Sequence, residues 1–178
     1  MMQKRQPNAP EQQGLKARNA GTEATRPVSE RMSRQLSKAF HCIEIGDLQG
    51  VKKALEREIS INMQDADGLT MAHVAARSDS LPSLKFLVEK GADITITDNK
   101  GASVLHFSAY SGSMGMTSYL INECGLDPRV KDYNGKTPQY YSENRGKFRT
   151  SDMLAEKTRE LAAAERKEAL GMHGLKRR

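Results

Sequence analysis

His73 and His106 stand 33 positions apart, each three residues after a Thr or Ser and five after a glycine. Imidazole is the side chain best suited to proton transfer or metal ligation near neutral pH, so a repeated pair is the first place to look for chemistry. The surrounding sequence does not supply the rest of a site. No cluster with ligand spacing adjoins either histidine, His41-Cys42 is a single adjacent pair, and no paired C-x-x-C is present. The stretch "SGSMG", Ser111 to Gly115, is glycine-rich but lacks the Gly-Lys-Ser/Thr of a phosphate loop. No spacing of Ser, His and acid points to a nucleophile, a base and an orienting group. The sequence therefore predicts no catalysis, no metal, no cofactor and no small-molecule substrate.

The two histidines belong to a longer self-similarity. "DADGLTMAHVAARSD" begins at Asp65, "DNKGASVLHFSAYSG" at Asp98 and "DYNGKTPQYYSENRG" at Asp132, at steps of 33 and 34 residues. A period of that length determines the architecture. Gly68, Gly101 and Gly135 sit where a tight turn needs positive φ. Thr70, Ser103 and Thr137 read as N-caps of the helix that follows, and Pro138 takes a first helical position. A second helix follows, with Leu81, Leu84, Leu87 and Val88 on one apolar stripe and Met114, Leu120 and Ile121 on the next. Gly91 and Gly125 end these helices in the left-handed conformation. Each unit reads as turn, short helix, turn, second helix, loop.

This pattern resembles the ankyrin repeat. The resemblance lies in "DGLTMAHVAARSDSLPSLKFLVEKGADITITD", "KGASVLHFSAYSG…YLINECGLDP" and "NGKTPQYYS". It covers about 120 residues and implies an all-α solenoid of stacked helix-turn-helix units with loop fingers. It also implies that His73 and His106 tie neighbouring repeats by hydrogen bonds instead of acting as ligands or bases.

Working back from Asp65 exposes an atypical first unit, with Ala39, Phe40, Cys42 and Ile43 on a first helix and Val51 and Leu55 on a second. It departs from the family at Glu58, where a glycine is expected. In the fourth unit Gln139, Glu143 and Ser151 replace apolar residues, which suits a capping repeat. The expected organisation is a basic disordered tail over 1–32, units near 33–64, 65–97, 98–131 and 132–154, and a charged helix and basic tail over 155–178. The helix is read as beginning near Asp152, capped by Ser151 and ended by Gly171, and as continuous with the last repeat helix. Glu168 breaks its heptad pattern, which argues against a coiled coil. Residues 1–31 hold almost no large apolar side chain to offset ordering entropy, and the final "GLKRR" is expected to be loose as well.

Charge divides along the same boundaries. Residues 1–38 carry a net +5, residues 39–146 a net −3 and residues 147–178 a net +4. Two cysteines make no disulfide framework and suit a reducing compartment, cytoplasmic or nuclear. The basic start is also compatible with organelle import, although Pro7 and Pro10 argue against an amphipathic leader helix. No apolar run approaches the roughly 20 residues of a membrane helix, and the basic ends are too polar to insert.

The function expected of stacked repeats is binding. By the resemblance, the contact slots are Ala66, Asp67, Leu69, Arg77 and Ser78 in the second unit and Asn99, Lys100, Ala102, Tyr110 and Ser111 in the third. In the fourth they are Lys131, Tyr133, Asn134, Lys136, Asn144 and Arg145. Tyr110, Tyr133 and Arg145 are the expected anchors, since Tyr and Arg are common at interface centres. The first expectation is a protein-binding adaptor or scaffold. The alternative is a structural subunit of a large ribonucleoprotein such as a ribosome, with the basic tails on RNA phosphates.

Overall fold

The computed structural model describes residues 30–56 and 59–170, and within them the chain forms eight helices. In order they are α1 (Glu30–Glu44), α2 (Leu48–Leu55), α3 (Met71–Arg77), α4 (Leu81–Glu89), α5 (Val104–Ser111), α6 (Met114–Asn122), α7 (Pro138–Asn144) and α8 (Phe148–Ala169). They pair as α1–α2, α3–α4, α5–α6 and α7–α8, giving four stacked units. Among the described residues the sole β feature is an isolated bridge between Thr97 and Ser103. The expected tail over residues 1–29, Glu58, Gly171 and the final "GLKRR" lie outside the described residues.

First helices stack on first helices, α1 on α3, α3 on α5 and α5 on α7. The sequence permits close approach because α3 and α5 bury small side chains, Ala72, Ala75, Ala76, Ser108 and Ala109. Second helices touch less, α2 with α4 and α6 with α8. They interpose larger residues, Leu84 and Leu87 on α4 and Met116 and Leu120 on α6, all fully buried. A stack that is tight along one row and wider along the other curves, with the first helices on the inner side. Each of those buried Leu and Met side chains stabilises the stack by about 1.5–3 kcal/mol.

Every inter-helix turn places one residue at positive φ, which sets up the reversal between paired helices. Gly46 (φ 75°), Gly112 (φ 81°) and Gly146 (φ 68°) serve units one, three and four. Unit two uses Asp79 (φ 54°), the one non-glycine residue at positive φ among those described. Asp reaches this region more easily than most residues, but at a cost.

Four sequence expectations need correction. Helix α1 starts at Glu30, so residues 30–32, read as tail, are helical. Met114 is 44% exposed and Met116 is buried in its stead, because Met114 is the first residue of α6 and faces the open turn edge. Helix α8 starts at Phe148 with Lys147 as its cap, so Ser151 is an interior residue. Its buried hydroxyl donates to Glu143 Oε1 at 3.1 Å, and that carboxylate also accepts from Gln139 Nε2 at 2.8 Å. Finally, Ala102 is 2% exposed and is no surface slot.

Candidate functional site

The loop fingers are built around the repeated aspartates. Asp65 Oδ1 accepts from the amides of Asp67 (2.9 Å) and Leu69 (2.8 Å). Asp98 Oδ1 accepts from Lys100 (2.8 Å) and Ala102 (2.8 Å), and Asp132 Oδ1 from Asn134 (2.9 Å) and Lys136 (2.8 Å). One carboxylate oxygen thus holds the amides two and four residues on and closes each finger over its glycine. Burial pushes the Asp132 carboxyl up, but the Lys136 amide, the Tyr141 hydroxyl (2.8 Å) and the Asn134 amide hold it below the usual carboxylate range. Neighbouring fingers are laced together. The Asn99 amide donates to Asp67 O at 3.0 Å, Asn99 Nδ2 to Ala66 O at 2.8 Å, and the Tyr133 amide to Lys100 O at 2.9 Å.

The histidines begin the first helices. His73 Nδ1 accepts from the Thr70 amide (3.1 Å) and His106 Nδ1 from the Ser103 amide (3.0 Å). An Nδ1 that accepts must be unprotonated, so each neutral ring carries its proton on Nε2. His106 Nε2 then donates to Lys136 O at 3.0 Å, a bond into the next unit. Both rings are fully buried, and that burial lowers their pKa values. Among the described residues no group of three His, Cys, Asp or Glu is placed to hold a metal ion.

On this frame the expected contact residues of units three and four converge. Lys100, Tyr110, Asn134, Lys136 and Asn144 line one groove of about 270 Å³, with Asp132, Tyr140 and Tyr141 at its floor and wall. Arg145 completes it by lying over the Tyr110 ring, 4.5 Å from guanidinium carbon to centroid. Lys136 Nζ sits 4.6 Å from the Tyr140 centroid. Tyr133 is 77% exposed at the finger tip. Its ring lies across Gly101, where an added Cβ would fall 2.6 Å from Tyr133 Cδ1.

The remaining expected residues sit apart from the groove. Asp67 and Asn99 are exposed on the finger row and Leu69 is half-buried there. Arg77 pairs with Glu44 at 3.0 Å across units one and two. Lys131 is exposed just before the fourth finger. Ser78 is half-buried, and the Ser111 hydroxyl donates to Ala76 O (3.1 Å) and Ser108 O (2.9 Å), a tie between units more than a contact.

Sequence reasoning missed Tyr140 and Tyr141. Tyr141 buttresses the fourth finger through Asp132 and meets His106 edge-on, with ring centroids 5.0 Å apart. The signal was present in "QYYS", where two adjacent aromatics on a short helix must face different sides. A larger, open groove of about 710 Å³ lies at the inter-helix turns. It takes in the "SGSMG" glycines, Met114, Lys147 and the 69% exposed Phe148, at the opposite end of the first helices from the fingers.

No helix among the described residues is long and apolar enough to cross a membrane. No curated protein matches the chain. Residues 72–121, spanning α3 to α6, match the family model for ankyrin repeats, which occur in many copies. Helix pairs flank that matched segment on both sides and the aspartate-held fingers at Asp65 and Asp132 bracket it, so the fold is of the ankyrin-repeat type.

Proposed function

We propose that the chain is a non-catalytic adaptor or scaffold that binds a protein partner along its fingers and first helices, with the contact centred on units three and four. Ankyrin repeats generally mediate protein–protein interaction. The observation that carries the reading to particular residues is the convergence of Lys100, Tyr110, Asn134, Lys136 and Asn144 on one groove beside the exposed Tyr133. A scaffold whose first helices pack closely and which presents large polar and aromatic side chains together on a curved face is suited to grip another surface. Two free, half-buried thiols, Cys42 and Cys124, suit a reducing compartment such as cytoplasm or nucleus.

The test is affinity capture from native lysate with the full chain and with its Tyr110→Ala/Tyr133→Ala variant, each with and without nuclease. Both tyrosines are exposed, so the variant is expected to fold, which its melting curve checks. A partner recovered by the wild type, lost by the variant and indifferent to nuclease supports the adaptor reading. The net +5 and +4 of the terminal segments favour one other reading, a subunit of a ribonucleoprotein. It predicts recovery that ignores the tyrosines and collapses with nuclease or modest salt.

A further inference from the structure

We infer that the groove between units three and four takes an acidic polypeptide segment, a short stretch of Asp or Glu side chains on the partner. The inference rests on the protein-binding reading above and names the chemistry of its partner.

Residues 39–146 carry a net −3, yet this groove is lined by two lysines and a single carboxylate. Lys100 and Lys136 line it and Arg145 caps its aromatic wall. The acid beneath them, Asp132, is only 6% exposed, and its oxygens already accept two amides and the Tyr141 hydroxyl. The local field is therefore positive against the sign of its surroundings. A neutral or basic segment would gain nothing from that arrangement, whereas a carboxylate meets charge-assisted donors.

The cations are also held in place. Arg145 rests on Tyr110 and Lys136 on Tyr140, at 4.5 and 4.6 Å. Stacking restricts these long side chains before a partner arrives, so less rotamer entropy is lost on binding. Arginine's planar fork matches a carboxylate in two-point contact.

The same stacks argue against a single-stranded nucleic acid. Such a ligand needs open aromatic faces for its bases. Here Tyr110 and Tyr140 each have a cation on the ring, and Tyr133 has one side laid on Gly101.

Fluorescence anisotropy on the full chain tests this with three labelled probes: a short poly-glutamate peptide, the same peptide with glutamine throughout, and an oligouridylate. The comparison protein is the full chain with Lys100→Glu/Lys136→Glu, both exposed, its fold checked by melting temperature. The expected result is binding of poly-glutamate, no binding of poly-glutamine, and at least about a tenfold loss in the variant. Poly-glutamate binding that ignores the groove reversal overturns the inference, because the basic ends then hold the probe. Tighter binding of oligouridylate that the reversal abolishes overturns it in favour of nucleic acid. If the partner captured from lysate is lost on Tyr133→Ala but kept by Lys100→Glu/Lys136→Glu, the protein-binding reading stands and the acidic chemistry is wrong.

Discussion

His106 Nε2 donates to the Lys136 carbonyl at 3.0 Å and so joins the third unit to the fourth. One unit earlier, His73 holds the same slot and caps its helix in the same way, yet its Nε2 has no hydrogen-bond partner among the described residues. The Ala102 and Ile96 carbonyls lie near enough to influence the His73 ring electrostatically but outside hydrogen-bonding geometry. One residue type in one slot thus serves two neighbouring interfaces unequally. Replacing each by Leu makes the difference measurable. Both variants lose the helix cap, but His106→Leu also removes the inter-unit bond to the Lys136 carbonyl, which keeps only the Asp132 amide at 2.9 Å. We expect His106→Leu to be the more destabilising by about 0.5–1.5 kcal/mol in urea denaturation. Equal losses would show that the bond to Lys136 contributes nothing.

Acid should weaken the fold through the same rings. Burial lowers both histidine pKa values below the ordinary 6.5. A lowered folded value means the unfolded chain binds protons first as pH falls. The stabilisation is complete above about pH 6.5, declines as pH drops from there towards the lowered folded values, and then levels off. The slope in that window reaches at most about 1.4 kcal/mol per pH unit for each histidine. Urea midpoints between pH 7.5 and 5.5 should fall in the wild type and flatten in His73→Leu/His106→Leu. A midpoint that holds steady or rises on acidification would contradict the assignment.

The turn at Asp79 predicts an easy gain. Its backbone sits at φ 54° where the corresponding turns of the other units use glycine. Left-handed backbone costs a side-chain-bearing residue about 1–2 kcal/mol, partly offset by glycine's greater freedom when unfolded. Asp79→Gly should therefore stabilise the protein by about 0.5–1 kcal/mol, seen as a higher melting temperature. A lower one would mean that the Asp79 side chain contributes more than its backbone strain costs.

The finger aspartates should resist deletion more than their place in loops suggests. Asp98 is 8% exposed and one of its oxygens accepts the Lys100 and Ala102 amides. Asp98→Ala leaves both without their acceptor and is expected to cost about 2 kcal/mol or more. Asp98→Asn keeps a side-chain oxygen and should cost clearly less. Thermal melts of the two variants side by side decide it, and equal losses would assign the effect to charge instead of to the two bonds.

The long last helix should behave as two parts. Leu154 is fully buried and Leu161 is 36% exposed. Leu154→Ala is expected to cost about 2–5 kcal/mol and Leu161→Ala well under 1. Beyond the packed part, α8 is tied back by Arg129, whose guanidinium meets both Glu165 oxygens at 2.8 Å and also pairs with Asp127. Arg129→Ala should speed amide hydrogen exchange over residues 160–169 while leaving the melting temperature of the stack nearly unchanged. Unchanged exchange there would show that the tie does not order the helix end.

Much of this protein is written locally and is legible in the chain. The repeat period, the caps Thr70, Ser103 and Thr137, the finger glycines and the paired histidines each act within a few residues of themselves. Backbone sterics and capping therefore make them readable from residue type and spacing alone. Only tertiary structure decided the rest. Met114 and Met116 both fit a helical stripe, and packing against the stack buried the second. Ala102 occupies a finger slot by register, but its neighbours enclose it. Ser151 can cap a helix, yet α8 begins a turn earlier at Phe148, where the fourth inter-helix turn delivers the chain. The groove belongs to this second class most of all. Arg145 over Tyr110 joins residues 35 positions apart in sequence and on different units. No local preference encodes such a contact, because it exists only once one repeat is stacked on the next.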